Sequence, residues 1–361
     1  MRDEALMRRA LALAARARGN TSPNPMVGAV IATDDGEEIA SAYHERAGGP
    51  HAESAAIEKA GARARGATLY VSLEPCDHSG RTPPCTQAIV GAGIKRVVVA
   101  ALDPDDRVQG VGVRRLRSAG LHVDVGVGEG AARDLNRMYF HQRTTGRPFV
   151  TLKMAQSLDG AIGDRPGERV ALTGAAAAAH VRSLRYEHDA VMVGIETALV
   201  DDPMLTVRPY KKRAVPYVRI VVDSAGRLPL SSKVAKDVSR ASTIAGVTER
   251  APRSTLNDLG SAGVEVLTCK SDGAGRVDLT DLLARLGRRG MLGVLCEGGP
   301  TLAAALLGAD LVNEVHFIIG PLIFGAASAV AAVGRLEKRV RVQIERIRSL
   351  GDDVLVVARL G

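Results

Sequence analysis

His51-Ala52-Glu53 and, further along the chain, VSLEPCDHSGRTPPC at residues 71–85 are the stretches that decide the fold. Together they offer one imidazole and two thiolates, from His51, Cys76 and Cys85, and this donor set suits Zn²⁺. Three protein ligands leave the fourth tetrahedral position open for water, as in a catalytic zinc site, whereas a structural site is closed by four protein ligands. The two stretches therefore predict a zinc centre with an open position.

Glu53 lies two residues after the histidine ligand. The zinc nucleobase deaminases share a signature, H-x-E followed by P-C, in which the glutamate moves protons and does not bind the metal. Pro75-Cys76 supplies the second half of that signature. Metal binding lowers the pKa of water so that hydroxide can form near neutral pH, and a neighbouring carboxylate can carry the proton. Glu53 is therefore predicted to be the catalytic proton shuttle.

A structural zinc knot is the alternative, and His78 is the obvious candidate for its fourth ligand. The spacing of the cysteines also departs from the generic signature, because eight residues separate Cys76 from Cys85 where the signature has two. Residues 77–84 must loop out and return Cys85 to the metal at the start of a helix predicted over residues 86–92. We interpret this insertion as a determinant of substrate specificity.

Length and composition predict a globular protein of two or three domains, since 361 residues exceed the size of one ordinary domain. No apolar run approaches the roughly 20 residues of a membrane span, and the N-terminus lacks the apolar stretch of a signal peptide. We therefore expect a cytoplasmic protein with no membrane partner. Cys269 and Cys296 lie in apolar, strand-like surroundings, where a buried, reduced thiol is the ordinary state.

The net charge of +8 raises the possibility of nucleic-acid binding. Lys and Arg are spread along the chain, aromatic residues are only 3%, and Trp is absent, so side chains for stacking on bases are scarce. A phosphorylated small substrate and a phosphorylated cofactor explain the basic surface equally well. We expect a small-molecule substrate and no nucleic acid.

Hydrophobic periodicity predicts alternating strands and helices in the first part of the chain. The predicted helices cover residues 3–18, 52–63, 114–119 and 129–141, and the predicted strands cover residues 27–32, 38–42, 67–73, 95–101 and 121–125. This alternation is typical of an α/β layered sheet. A polar breaker stretch at residues 143–148 is interpreted as a linker between two domains, residues 1–145 and 146–361.

The second part of the chain continues this pattern and ends in a glycine turn. Its predicted elements are strands at 149–155, 190–193 and 218–222, a turn at 157–160 and a helix at 175–186. Residues 293–302 then predict a strand, a glycine turn and a helix. Gly298 and Gly299 before a helix start could let backbone amides approach a pyrophosphate, although such a turn is often only a turn. The sequence has no G-x-G-x-x-G, so a Rossmann site is not indicated.

Taken together, the motifs resemble those of the RibD family of bifunctional riboflavin-biosynthesis enzymes across nearly the whole chain. The motifs that carry the resemblance are TSPNPMVGAVI (21–31), HAE (51–53), VSLEPCDHSGRTPPC (71–85), LKMAQSLDG (152–160), TALVDDPMLTVR (197–208), VVDS (221–224) and EGGPTL (297–302). The resemblance implies an N-terminal cytidine-deaminase-like domain and a C-terminal dihydrofolate-reductase-like domain. It also implies zinc and NADPH as cofactors, deamination of a phosphoribosylated diaminopyrimidine, and reduction of its ribosyl group.

The resemblance also assigns residues by motif. It makes His51, Cys76 and Cys85 the zinc ligands and Glu53 the proton shuttle. For NADPH it implies Ala155, Thr197, Asp201, Ser224 and the turn and helix Gly299, Pro300, Thr301, Leu302, Ala303, Ala304 and Ala305. For the substrates it implies Asn24, Arg169, Arg185, Leu205, Arg208 and Glu297. Arg185 and Arg208 are expected to bind the ribose phosphate bidentately, and either arginine alone could instead be a solvated surface residue.

Two positions depart from the family pattern in the second domain. Arg169 stands where the family has a substrate-facing serine, and Ala171 stands where it has a tryptophan near the cofactor, so we expect looser NADPH binding. Lys153 and Asp201 are the candidates for the proton donor in the reduction. The rival hypotheses are a tRNA or mononucleotide deaminase with an unrelated second domain, a nucleic-acid-binding protein with structural zinc, and a deaminase whose reductase half has decayed. A homo-oligomer is expected.

Overall fold

The computed structural model describes residues 2–78, 83–105, 108–167, 170–207, 213, 215–325 and 328–360. The chain divides into two compact units, Met1–Gly146 and Arg147–Gly361. In the described ranges, the first unit is built on a five-stranded sheet and the second on a nine-stranded sheet. Both sheets are flanked by helices, so each unit is an α/β layer structure.

The first unit alternates strands and helices as predicted. Its helices in the described part of the chain are α1 (Arg2–Ala14), α2 (Ala52–Ala60), α3 (Cys85–Gly91), α4 (Val111–Ser118), α5 (Glu129–Leu135) and α6 (Arg137–Thr145). Its strands are β1 (Gly28–Ala32), β2 (Glu38–Tyr43), β3 (Thr68–Val71), β4 (Arg96–Val99) and β5 (His122–Val125). Short 3-10 turns at Ala15–Ala17 and Gly61–Ala64 continue α1 and α2, which explains why the predicted helices extend past the α-helical residues.

The strand order of the first sheet is β2-β1-β3-β4-β5. β1 is antiparallel to β2 and β3, whereas β3, β4 and β5 are parallel. Helix α2 presents Ala52, Ala56 and Ala60 to the apolar core that also contains Ile31 and Leu69. Because these alanines recur every four residues, one small-residue face of α2 packs against the sheet. This packing places the start of α2, and with it the preceding residue His51, against the face of the sheet.

One predicted helix, residues 129–141, is broken in the structure. Asn136 separates α5 from α6 with φ −102° and ψ 21°, outside helical geometry. Its side chain accepts a hydrogen bond from Met26 N at 2.8 Å and donates one to Met26 O at 2.9 Å. A contact 110 residues away in the sequence, which local periodicity cannot indicate, therefore outweighs the helical preference here.

The predicted linker is also shorter than expected. Helix α6 runs to Thr145 and ends at Gly146, whose φ of 71° lies in the left-handed region that favours glycine. The next strand begins at Phe149. Only residues 146–148 therefore separate the elements of the two units, and residues 143–145 belong to the helix.

The second unit contains more elements than the sequence patterns indicated. Its described helices are α7 (Ala175–Glu187), α8 (Ile195–Asp201), α9 (Lys233–Lys236), α10 (Arg253–Ser261), α11 (Leu279–Arg288) and α12 (Pro300–Gly308). Its strands are β6 (Phe149–Gln156), β7 (Ala161–Gly163), β8 (Ala190–Gly194), β9 (Val218–Val222), β10 (Ser242–Val247), β11 (Glu265–Thr268), β12 (Gly293–Cys296), β13 (Glu314–Ile319), β14 (Val330–Ala331), β15 (Gln343–Leu350) and β16 (Asp353–Arg359). No helix in the described ranges is both long enough and apolar enough to span a bilayer.

The nine-stranded sheet has the order β11-β10-β9-β8-β12-β6-β13-β16-β15. Its first seven strands are parallel, β16 is antiparallel to β13, and β15 is antiparallel to β16. Although β12 follows β11 in the chain, it lies between β8 and β6. The carboxyl ends of β6, β8 and β12 therefore lie side by side, at the edge where ligands of parallel α/β sheets usually bind.

Candidate active sites

The predicted zinc ligands converge in the first unit. His51 immediately precedes α2, Cys85 is the first residue of α3, and Cys76 follows β3. The three ligand atoms lie within 4.8 Å of one another. The Nδ1 atom of His51 is 3.2 Å from the Sγ atom of Cys85 and 3.5 Å from that of Cys76. His78 is exposed and is not part of this cluster, so the described residues provide three ligands and no fourth.

These distances fit a zinc ion. Zn–N and Zn–S bonds of about 2.0 and 2.3 Å at a tetrahedral angle separate the two ligand atoms by about 3.5 Å, as observed between His51 and Cys76. Hydrogen bonding from the Cys85 thiol, followed by that of His51, lowers the pKa of Cys76. The neighbouring Cys76 sulfur and burial then raise the pKa of Cys85. Two sulfurs held this close can both be thiolates only beside a cation, so the donor set indicates a metal site.

Glu53 lies in the first turn of α2 beside this cluster. Its side chain is 3% exposed. Burial raises its pKa from 4.5 to about 7, while the nearby His51 opposes the rise. A carboxyl group whose pKa lies near neutrality can both accept and donate a proton, which is what a general acid–base catalyst requires.

Asn24, the predicted pyrimidine contact, contacts the ring of His44, which in turn contacts the metal ligand His51. Its Nδ2 atom is 3.2 Å from Nε2 of His44, and Nδ1 of His44 is 2.9 Å from the carbonyl oxygen of Pro50. The His44 ring meets the His51 ring edge-on, with centroids 5.6 Å apart. Burial lowers the pKa of His44, which favours the neutral imidazole. The sequence motifs gave no role to His44, and its contact with Asn24 appears only in the folded structure.

Glu74 is a second residue that the sequence analysis did not single out. Its buried carboxylate accepts hydrogen bonds from the backbone amides of Asp103 (3.2 Å), Gly110 (2.8 Å) and Val113 (3.1 Å). A Cβ atom on Gly112 would lie 2.0 Å from the carbonyl oxygen of Pro75. The segment that carries Cys76 is therefore held closely against Asp103 and residues 110–113. The sequence signal that could have identified Glu74 is a charged residue between a buried strand and Pro75.

In the second unit, three of the predicted substrate contacts come together. Glu297 directly follows β12, and Arg185 lies in the last turn of α7. Arg185 donates from Nε and Nη2 to the two oxygens of Glu297, the second bond being 2.8 Å, and from Nη1 to the carbonyl oxygen of Thr206 at 3.2 Å. Leu205 precedes that threonine and is buried with a φ of 50°. The guanidinium fork of Arg185 is thus occupied by a carboxylate in this structure.

Lys153 lies on β6 close to this pair. Burial lowers its pKa, and the charge of Glu297 partly opposes the change. An amine with a lowered pKa exchanges protons more readily near neutral pH. This keeps Lys153 a candidate proton donor.

The glycine turn before α12 has the shape of a cradle. The Gly299 amide donates to Oγ1 of Thr197 at 3.0 Å, and Gly298 O accepts from Gly194 N at 3.1 Å. A Cβ atom at Gly298, where φ is 89°, would lie 3.0 Å from the sulfur of Met154, and one at Gly299 would lie 3.2 Å from Oγ1 of Thr197. No side chain caps the nine-residue helix α12. Pro300 has no amide N–H and the Gly299 amide already donates to Thr197, so the amides of Thr301 and Leu302 are the ones that α12 offers to a phosphate group, and the turn fits a phosphorylated cofactor such as NADPH.

The remaining predicted cofactor residues lie around this edge of the sheet. Asp201 is the last residue of α8, which carries Thr197, and Ala155 lies near the end of β6. Ser224 follows β9, and its hydroxyl accepts a hydrogen bond from Val277 N at 3.0 Å. Residues 300–305 form the first part of α12.

Two predicted substrate residues, Arg169 and Arg208, lie outside the described residues. Ala171 is described and exposed. Cys269 and Cys296 are buried free thiols, as predicted.

A His-Cys-Cys cluster beside a buried glutamate is the arrangement of zinc deaminases. Residues 1–101 match the cytidine and deoxycytidylate deaminase zinc-binding region. Residues 148–356 match the RibD C-terminal domain. The chain is therefore a two-domain protein that combines a zinc-dependent deaminase domain with a reductase domain, which confirms the predicted fold class.

The chain belongs to the RibD family. It is 40% identical to riboflavin biosynthesis protein RibD of Aquifex aeolicus, covering 98% of this chain and 97% of that protein. It is 38% identical to RibD of Escherichia coli, with 98% of each chain covered. The solved structure of Acinetobacter baumannii RibD superposes with a TM-score of 0.90 at 36% identity, covering 100% of this chain and 99% of that one.

A Thermotoga maritima structure is also similar, with a TM-score of 0.86 at 34% identity and coverage of 100% of this chain and 99% of that one. That protein is described as a diaminohydroxyphosphoribosylaminopyrimidine deaminase/5-amino-6-(5-phosphoribosylamino)uracil reductase. The predicted pairing of a deaminase with a reductase is confirmed by these relatives.

Proposed function

We propose that the chain catalyses two consecutive steps of riboflavin biosynthesis. The first is hydrolytic deamination of 2,5-diamino-6-ribosylamino-4(3H)-pyrimidinone 5′-phosphate. The second is NADPH-dependent reduction of the ribosyl group, which gives 5-amino-6-ribitylamino-2,4-pyrimidinedione 5′-phosphate. The observation that carries the proposal is the convergence of His51, Cys76 and Cys85 within 4.8 Å beside the buried carboxyl group of Glu53.

In the deamination, His51, Cys76 and Cys85 hold zinc. Zinc, when bound, lowers the pKa of a water molecule and makes it a nucleophile at neutral pH. Glu53 accepts the first proton of the attacking water and delivers it to the ring nitrogen; it then accepts the second proton, from the hydroxyl group added to the ring carbon, and delivers it to the amino group, which leaves as ammonia while the carbonyl forms. Asn24 binds the pyrimidine edge. Because Glu53 is buried, no solvent molecule can easily replace it in these transfers.

In the reduction, the Gly299 turn, Thr197 and the first turn of α12 bind NADPH, with Ala155, Asp201 and Ser224 around the same edge. NADPH, when bound, supplies the hydride for C1′ of the ribosyl group. The Arg185–Glu297 pair orients the substrate, together with Leu205, Arg169 and Arg208. The carboxylate of Glu297 already accepts two hydrogen bonds from the guanidinium group of Arg185. This pair is therefore suited to binding hydroxyl groups of the substrate as well as its charged phosphate.

We assign deamination to residues 1–145 and reduction to residues 146–361. We also propose a cytoplasmic location, which the proposed metabolism and the four free cysteines support. We propose that the partners are small molecules and a second copy of the chain. Neither nucleic acid nor a membrane enters the proposed reactions.

An apolar surface at the edge of the large sheet supports the homo-oligomer. Ile344 and Ile347 on β15 are 57% and 63% exposed. They pair with Ala358 and Val356 of β16, so they lie on one face of the sheet. An open edge strand with exposed apolar side chains is unfavourable in a monomer. Ile347→Glu is expected to lower the mass measured by sedimentation, and an unchanged mass would argue against this interface.

Turnover of the phosphoribosylated pyrimidine with and without NADPH tests the bifunctional assignment. Zinc-loaded protein should release ammonia without NADPH and should consume NADPH only after deamination or when given deaminated substrate. Ammonia release without any NADPH consumption would indicate a decayed reductase half. No turnover of this substrate, with activity on a nucleotide or tRNA, would support the rival deaminase hypothesis.

A further inference from the structure

His44 connects the predicted pyrimidine contact to the backbone next to a metal ligand. Its ring is buried, being 3% exposed, and each ring nitrogen has one partner: Nδ1 faces Pro50 O at 2.9 Å and Nε2 faces Nδ2 of Asn24 at 3.2 Å. Pro50 directly precedes His51. The histidine thus links the loop that carries Asn24 to the start of α2.

The two contacts determine the tautomer of His44. A backbone carbonyl oxygen can only accept a hydrogen bond, so the proton must be on Nδ1 of a neutral imidazole. Nε2 then has a lone pair and can only accept. Its partner on Asn24 must therefore be an N–H group, which agrees with the observed Nδ2 contact.

The same contact determines which way the Asn24 amide faces. The terminal torsion of asparagine has two nearly equivalent orientations that exchange the oxygen and the nitrogen. The backbone around Asn24 is already held, since Asn24 N donates to Thr21 O at 2.8 Å and prolines stand on both sides. His44 removes the remaining freedom. Within the described part of the chain, Oδ1 of Asn24 accepts no hydrogen bond.

We propose that His44 is a positioning residue for deamination, which locks the Asn24 amide so that Oδ1 accepts a hydrogen bond from an N–H of the aminopyrimidine. This inference deepens the proposed function and rests on it. The site selects a ring edge that presents a hydrogen-bond donor, and it rejects one that presents an acceptor, because two facing acceptors leave both groups unpaired.

Two substitutions separate this role from a merely structural one. In His44→Gln, the longer amide can place its oxygen near the position of Nε2 and accept from Asn24. In His44→Asn, the shorter amide can still donate to Pro50 O but cannot reach Asn24. The variants differ by one methylene group, and each can retain one of the two contacts.

We expect His44→Asn to raise KM for the pyrimidine about tenfold, the loss of one oriented hydrogen bond, with a smaller change in kcat. His44→Gln should restore most of the affinity. Zinc content, measured by metal analysis, should equal that of the parent in both variants. Equal KM values for the two variants would overturn the proposal. Failure of the parent itself to release ammonia would instead count against the proposed function.

The tautomer can be observed directly. Proton–nitrogen correlation spectra of zinc-loaded protein labelled with ¹⁵N-histidine distinguish Nδ1–H from Nε2–H rings, and the signal missing in His44→Gln identifies His44. A proton on Nδ1 is expected. A proton on Nε2 would refute the inference, because that nitrogen could not accept from Asn24.

Discussion

Glu53→Gln is the sharpest test of the deaminase site. The change preserves the size of a side chain that is 3% exposed, and it leaves His51, Cys76 and Cys85 in place. An amide, however, neither accepts nor releases a proton at neutral pH. We therefore expect zinc to bind normally while deamination is lost.

The structure sets the magnitude of both the kinetic and the stability effect. Because Glu53 serves two proton transfers from a buried position, its loss should lower kcat by roughly 10³–10⁴, which is about 4–5 kcal/mol of activation free energy. Burial raises the pKa of Glu53 from 4.5 to about 7, which corresponds to about 3 kcal/mol of destabilisation by the ionised carboxylate in the metal-free protein. This penalty is absent below pH 4.5 and is complete above pH 7. Metal-free Glu53→Gln should therefore be more stable than the metal-free parent at about pH 8.

Ammonia release measures kcat for deamination, and metal analysis measures the zinc content. Denaturant unfolding measures the stability of the metal-free proteins. Cys76→Ser, which removes a ligand, is the matched control for loss of metal. Ammonia release within tenfold of the parent, from zinc-loaded Glu53→Gln, would show that another group carries the protons. Lower stability of the metal-free variant at about pH 8 would show that Glu53 is not destabilising as inferred.

Four further predictions concern other parts of the chain. Cys76→Ser should abolish deamination but leave NADPH-dependent reduction of supplied deaminated substrate largely intact, and equal loss of both activities in folded protein would contradict separate sites. Gly299→Val should weaken NADPH binding about tenfold in calorimetry, because its Cβ would lie 3.2 Å from Oγ1 of Thr197 and crowd the phosphate site. Ala171→Trp should strengthen NADPH binding by roughly 1 kcal/mol if the indole ring packs on the cofactor. Unchanged NADPH affinity in Gly299→Val would mean that the turn does not bind the cofactor. Burial, together with His316 and Arg348, lowers the pKa of His180 from 6.5 to about 4. The free energy of unfolding should therefore fall as the pH drops from 6.5 towards 4. His180→Gln should reduce that loss by about 1 kcal/mol, as measured in urea titrations.

The sequence by itself determined the zinc chemistry and most local elements. His51, Glu53, Cys76 and Cys85 are recognisable because ligand type and short-range spacing reflect the metal's demands directly. Strand β1 was predictable as a short apolar run between turn residues, and all five of its residues are buried. Helix α1 was predictable because burial on one face leaves a helical period in the sequence.

Only the tertiary structure decided the contacts between residues that are distant in the chain. Asn136 breaks a predicted helix because its side chain binds Met26, and β12 enters the sheet between β8 and β6. The pairing of Arg185 with Glu297 and the contact of His44 with Asn24 follow from this long-range packing. Sequence periodicity reports which face of an element is buried. It does not report which partner covers that face, because the partner depends on the packing of the whole unit.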